Sequence, residues 1–248
     1  MREELLDGTG RVVAHYDRRT RLDLPYAAEL EPVDISAEDL VRLLFTERKG
    51  WVFSAGPEIC LPAKANGGTV VRHAHAYSFD LREQQADPDW LNPPLADGLR
   101  AEEFTATLEE IFPAYQRAFP PGHVDHVLDA EGERANFAQL LAGEVLGPVL
   151  PCSGLIRDGE EVVGVVVVND RAGDPPLLGP WIGQIYRDPA PRYRGLGMVL
   201  LRRAVALAAQ AGLPAVGLAV TDGNPARWVY EKAGFRHVEE SMTVLIPD

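Results

Sequence analysis

The chain has 248 residues, 46% of them hydrophobic, and a formal net charge of −13. That is enough apolar material for a sizeable core, yet no apolar run approaches the roughly twenty residues that span a bilayer, so no membrane span is expected. The acidic balance argues against a nucleic-acid partner, because phosphate binding needs a basic face.

In chain order, the charged start Met1-Arg2-Glu3-Glu4 lacks the apolar stretch of a signal peptide, and a cytoplasmic protein is expected. Strand-like pieces are read at 10–16, 51–55 and 69–79. A helix is read over 36–47, where Ser36-Ala37-Glu38-Asp39 has the character of a capped start. Together they predict a small α+β unit over residues 1–90. His73 and His75 alternate along a strand and so share a face, as a metal pair would, but no third ligand is evident nearby and no metal is expected. Cys60 and Cys152 lie far apart, outside any Cys-x-x-Cys spacing, and are expected as reduced, buried thiols. Lysine is confined to Lys49, Lys64 and Lys232 in a chain rich in Arg, Ala and Pro, a usage that points to a GC-rich, bacterial genome.

The stretch from Gln84 to Pro94, dense in Pro, Asp and Asn, reads as a linker or surface crossing. After it come a strand over 98–104 and a helix that Thr105 would cap. Leu108, Ile111, Phe112, Tyr115 and Phe119 recur there at helical spacing, and Pro120-Pro121 stops the helix. A second helix is read over 133–144, then a hairpin of 152–157 with 162–169 around Asp158-Gly159. Residues 101–150 hold nine carboxylates against Arg117 and Arg134, a net −7. Such a segment either attracts a cationic partner or is simply a solvated face. His123 and His126 follow the Pro-Pro turn and read as surface residues or as substrate contacts.

The most specific stretch is Arg192-Tyr193-Arg194-Gly195-Leu196-Gly197-Met198, set between a strand-like segment at 181–186 and an amphipathic run over 199–210. The first N–H groups of a helix have no internal partner and carry partial positive charge, so this turn is built to hold an anion. Gly195 and Gly197 let the backbone approach a phosphate without a Cβ in the way, and Arg192 and Arg194 add positive charge. A dinucleotide fingerprint is excluded because Leu200 stands where the third glycine belongs, and no Gly-Lys-Ser/Thr closes a Walker loop. Downstream, an apolar strand at 215–220 leads to Asn224, then Tyr230 six residues on, then Gly234-Phe235, with a last strand over 238–246.

Read as R-x-x-G-x-G on Arg192, Gly195 and Gly197, followed by strand, Asn, a helix with Tyr, and Gly-Phe, residues 95–248 resemble the GNAT superfamily of acyl-CoA-dependent N-acetyltransferases. The resemblance implies an α+β fold, a mixed central sheet flanked by helices, beside the smaller N-terminal α+β unit. That unit would be a degenerate half-copy of the same fold, placed to wall the acceptor site or to form a homodimer. It implies acetyl-CoA as co-substrate and an amine acceptor, a small molecule or peptide, cationic if the acidic segment steers it. Carried over residue by residue, the backbone of Gln184, Ile185, Tyr186 and Arg187 would pair with the pantetheine arm and steady the oxyanion. Arg192, Tyr193, Arg194, Gly195, Leu196, Gly197 and Met198 would hold the pyrophosphate, and Asn224 would orient the arm or the backbone of a splayed strand. Tyr230 would be the general acid that protonates the departing thiolate. The chain departs from the family in two places. Arg187 stands where a small apolar residue is usual, reaching a phosphate or pointing to solvent. Trp181 to Gln184 offer no carboxylate where many relatives place a Glu. The base is then an acid of the 101–150 segment or water relayed through Gln184. This gap keeps open a catalytically silent acyl-CoA sensor or scaffold.

Overall fold

A computed structural model describes residues 2–21, 23–126 and 129–248. The chain has an α+β fold, a large mixed sheet with flanking helices, and falls into two compact units: residues 1–75 with 240–248, and residues 76–239. Among the described residues no helix is long and apolar enough to cross a membrane.

The first unit opens with β1 (Arg2–Leu6), β2 (Val12–Arg21) and β3 (Leu24–Pro32), paired antiparallel in sequence order. Helix α1 (Ala37–Glu47) leads to β4 (Val52–Ala55), which returns parallel to β3, then to α2 (Pro57–Ala65) and β5 (Thr69–Asp80). The C-terminal half of β11 (Arg236–Leu245) pairs antiparallel with β4, from Met242↔Ala55 to Leu245↔Val52. Leu40, Val41 and Leu44 of α1 and Ile59, Cys60 and Ala63 of α2 close a core with Val13, Phe53 and Val244. Sequence reading finds α1 with its Ser36 cap, but not α2, β1 or β3. Helix α2 contains Pro57 and Pro62, and Pro57 sits in the first turn, where its missing N–H costs nothing. β1 buries only Leu5 fully, so it carries no clean alternation.

The second unit contains β6 (Leu99–Glu103), α3 (Leu108–Ala118), α4 (Ala130–Leu141), β7 (Gly154–Asp158), β8 (Glu161–Arg171) and β9 (Gly179–Arg187). After α5 (Leu196–Gln210) come β10 (Ala215–Thr221), α6 (Arg227–Lys232) and the start of β11. β6 to β9 run antiparallel in order and β10 lies parallel to β9. The run Val162-Val163-Gly164-Val165-Val166-Val167-Val168 shows why β8 is central. Val163, Val166 and Val168 pack under α5, while Val162, Val165 and Val167 pack under α3 and α4, so both faces of the strand are covered. The α3 cap is Thr107 rather than Thr105: its hydroxyl receives Glu110 N–H while Glu110 reaches back to the Thr107 N–H at 2.8 Å. Asp129 caps α4, which therefore starts three residues before the expected 133. The stretch 84–94 lies inside this unit. Trp90 packs edge-on against Phe79 at 6.2 Å and lies under the Arg202 guanidinium at 5.1 Å. One order of elements occurs twice along the chain: β1-β2-β3-α1-β4-α2-β5 and β7-β8-β9-α5-β10-α6-β11.

Candidate active site

β9 is bent by a bulge. Val167 pairs with Gln184 and Val168 with Ile182, so Gly183 is the extra residue. Only a bulge lets Ile182 and Ile185, three apart on a strand, face the same core. A side chain at Gly183 would have its Cβ 2.7 Å from Leu140 and 2.8 Å from Asn169, so the bulge is closed to anything larger. The parallel ladder from β9 to β10 consists of Gly217↔Trp181 and Leu218↔Ile182 and then ends. The later residues of β9, through Ile185, Tyr186 and Arg187, therefore lack a ladder partner on the β10 side. Their backbone groups are available to an extended ligand, as a sheet edge is.

The strand ends on Asp188. Burial works against its carboxylate, but the Ala190 N–H at 2.8 Å and the Arg117 guanidinium at 2.5 Å outweigh it and hold its pKa below the ordinary value. Arg117 also bonds Glu161 at 2.7 Å, so the turn is anchored to both α3 and β8. Pro191 to Tyr193 form a single 3-10 turn, and Gly195, with φ +95, caps α5 without a side-chain bond. A Cβ at Gly195 or Gly197 would meet nothing within 4 Å, and the first turn of α5 holds no acid. A glycine-capped helix start, open space above two glycines and a first turn without an acid fit a phosphate group.

Side chains of this turn behave less uniformly than the motif suggests. Those of Tyr186, Tyr193 and Leu196 are buried, so only their backbones can face a ligand. The Tyr186 hydroxyl donates to Ile111 O at 2.9 Å and that of Tyr193 to Asp158 at 3.0 Å. Arg192 is exposed and already engaged: its guanidinium lies 4.5 Å over the Tyr193 ring and pairs with Asp158 at 2.9 Å. Arg187 donates to the Asp188 carbonyl at 2.6 Å, which answers where it points. Arg194 is exposed, and Ile185 and Met198 are half-buried against the α5 core.

Asn224 and Tyr230 bracket the start of α6. The Asn224 side chain, buried, accepts Ala226 N–H at 2.8 Å and donates to Asp125 Oδ2 at 2.7 Å. Tyr230 is 7% exposed and belongs to the same core cluster as Ile182, Tyr193 and Leu196. Burial first, and the charge of Asp125 second, raise its pKa above that of an ordinary phenol. Gly234 at φ +99 ends the helix and buried Phe235 follows, its N–H on Tyr230 O at 3.1 Å. Asp125 is the residue that the sequence did not single out. It was one of nine acids, and only the fold brings the loop after α3 to Asn224. His123 lies beside it, Nδ1 accepting Asp125 N–H at 3.1 Å and 3.8 Å from its carboxylate. His126 bonds Phe119 O at 3.1 Å. In the first unit, His73 and His75 do share a face, their rings 5.0 Å apart, and His73 Nε2 meets Glu240 at 2.6 Å. Cys60 and Cys152 are free and buried, and burial pushes their thiols up to about 12 and about 11.

A family model described as the acetyltransferase (GNAT) family matches residues 106–235. A mycothiol acetyltransferase from Nocardioides sp. is 30% identical over 161 residues, which are 60% of this chain and 53% of that protein; the chain thus spans about half of that relative. A GCN5-related N-acetyltransferase from Sphaerobacter thermophilus superposes with a TM-score of 0.67 at 17% identity, covering 99% of this chain and 80% of that one. A tandem GNAT protein from the clavulanic acid biosynthesis pathway gives 0.58 at 15% identity, covering 96% and 80%. At those identities the likeness concerns the fold.

Proposed function

The chain belongs to the acetyltransferase (GNAT) family, and on that premise we propose that it transfers an acetyl group from acetyl-CoA to a primary amine of a small molecule or peptide. The observation that carries the reading is the junction itself. The β9–β10 ladder stops at Ile182, and just beyond it α5 opens on two glycines with free space over both. A pantetheine arm laid along the unpaired part of β9 would take its backbone bonds from Ile185 to Arg187, with the pyrophosphate on the N–H groups of Gly195 to Gly197, since that of Met198 already donates to Gly195 O at 3.0 Å. Acetyl-CoA brings a thioester carbonyl open to direct attack. N–H groups on that edge of β9 would meet the charge that develops on the carbonyl oxygen. As the amine nitrogen bonds to the carbonyl carbon, the C–S bond breaks and Tyr230 gives its phenolic proton to the sulfur. The tyrosinate regains a proton from the new amide nitrogen, so atoms and charge balance. Tyr230 suits the role because burial and Asp125 keep it protonated, and among the described residues nothing bonds to its hydroxyl.

The first unit fits a degenerate half-copy of the family fold, because it repeats the order of seven elements. Its helix α1 starts on Ser36 preceded by Ile35, where α5 of the second unit starts on Gly195 preceded by Arg194, and on this reading cofactor binding belongs to the second unit. The buried free thiols support a reducing, bacterial cytoplasm as the setting. The relative's name puts mycothiol-type molecules on the panel of acceptors to assay.

Tyr230→Phe tests the chemistry. CoA affinity should stay within a factor of about two, while amine-dependent release of CoA thiol falls by on the order of 100-fold. Equal turnover would remove Tyr230 from the mechanism. A wild type that binds CoA yet releases no thiol with any amine would favour the silent sensor instead.

A further inference from the structure

The sequence offers no carboxylate on β9, and the loop after α3 brings one to Asn224. Asp125 is 30% exposed at its side chain, with Oδ2 tied to the Asn224 amide at 2.7 Å. Asn224 is itself fixed by the Ala226 N–H at 2.8 Å, so the carboxylate is held in place by a rigid, buried partner at the mouth of α6. His123 sits on its other flank at 3.8 Å. Two buried phenols, Tyr230 and Tyr115, both feel its charge. A carboxylate has about four lone-pair sites, and the one amide bond leaves others for a ligand on a side chain that is 30% exposed, at the mouth of the helix that carries Tyr230. No arginine or lysine is paired with it among the described residues, although arginines pair with Asp158, Asp188, Glu109 and Glu110 elsewhere in the unit.

We propose that Asp125 seats the ammonium group of the acceptor beside Tyr230, which makes the acceptor class a cationic primary amine. This rests on the amine-transfer reading and deepens it. The anchored carboxylate accepts a charge-assisted hydrogen bond from the ammonium and sets the nitrogen next to the group that serves the leaving sulfur. The ammonium then gives up one proton to solvent before attack, leaving the neutral amine in place.

The test compares two acceptors of the same skeleton: an alkyl primary amine, and the matching alkoxyamine, whose amino group is uncharged at neutral pH. In Asp125→Asn, KM for the amine should rise at least about 30-fold, while KM for the alkoxyamine changes less than about threefold. The CoA Kd, measured by calorimetry, reports that the β9–α5 junction is intact in the variant. Asp125→Glu should recover part of the preference for the amine, a rescue that a merely structural tie to Asn224 would not produce. If wild type acetylates both acceptors and Asp125→Asn preserves the ratio of their KM values, the assignment of Asp125 is overturned alone. If wild type binds CoA and acetylates neither, the amine-transfer reading falls and this assignment with it.

Discussion

At the β3–α1 junction of the first unit, the helix starts on Ser36, whose hydroxyl accepts Asp39 N–H at 3.1 Å. At the β9–α5 junction of the second unit, the helix starts on Gly195 with no side-chain cap. The surroundings differ in the same sense. Glu38 and Asp39 occupy the first turn of α1, where carboxylates complement the helix dipole, and no acid occupies that of α5. An open cleft of about 420 Å³ lies at the first junction, lined among others by Asp7, Arg11, Asp34, Ser36, Asp39 and Arg42. Four of its five charged side chains are spent on one another, Arg11 pairing with Asp7 at 3.2 Å and Arg42 with Asp39 at 2.8 Å, which leaves Asp34 and a net negative lining. One helix start is satisfied from within. The other is left open on glycine, a form that costs roughly a few tenths of a kcal/mol relative to a good cap and suits a place where a ligand's oxygens supply the cap.

The largest effect expected from this contrast is at Gly195. Gly195→Glu should weaken CoA binding by on the order of 100-fold or more, because the new carboxylate stands where the phosphates would lie. The left-handed φ of +95 also strains any side chain there. Gly195→Ala separates the two causes, since it carries the same backbone strain, about 1–2 kcal/mol, without charge. It should keep CoA affinity within about tenfold. Calorimetric titrations in which Gly195→Glu binds CoA like wild type would end the phosphate assignment and, with it, the contrast between the junctions.

Much of the second unit is legible in the sequence because its signals are local. The hairpin at Asp158-Gly159, the apolar run of β8 and the glycine turn all declare themselves within a dozen residues. The GNAT resemblance and the α+β class agree with the family match and the fold. What escapes is set by long-range geometry. Nothing near Arg192 in sequence announces that it pairs with Asp158, 34 positions earlier. The bulge at Gly183 has no signature beyond a glycine in a strand, yet it turns Ile185 and Tyr186 to their opposite cores. Asp125 meets Asn224 across 99 residues. In the first unit, β1 and β3 escape because partly exposed strands lack clean alternation, and α2 because two prolines within nine residues weaken its helical signal.

A smaller effect is expected at the capped junction. Ser36→Ala should destabilise the protein by about 1 kcal/mol, seen as a fall in melting temperature of about 2–4 °C. CoA affinity should not move. If Ser36→Ala weakened CoA binding several-fold, the first junction would be part of the cofactor site, and the two helix starts would differ less than their caps suggest.

The smallest effect concerns pH and sharpens how the first junction uses its acids. Asp7 accepts the Thr9 hydroxyl at 2.6 Å, the Thr9 N–H at 2.9 Å and the Arg11 N–H at 3.1 Å. The Thr9 hydroxyl bond, then the backbone bond from Thr9, lower its pKa from 3.8 to about 2. A carboxylate whose pKa is depressed on folding binds its proton more readily in the unfolded chain. Its contribution to stability is therefore complete above the unfolded value and is lost as the pH falls from about 4 towards 2. Asp7→Asn removes the titrating group while keeping an acceptor for the same N–H groups. Melting temperatures measured from pH 5 down to pH 3 should then decline less steeply in the variant than in wild type. An identical acid slope in the two proteins would mean that Asp7 is bonded no better in the folded chain than in the unfolded one. The carboxylates of the first junction would then be a solvated face, not a set of internal caps.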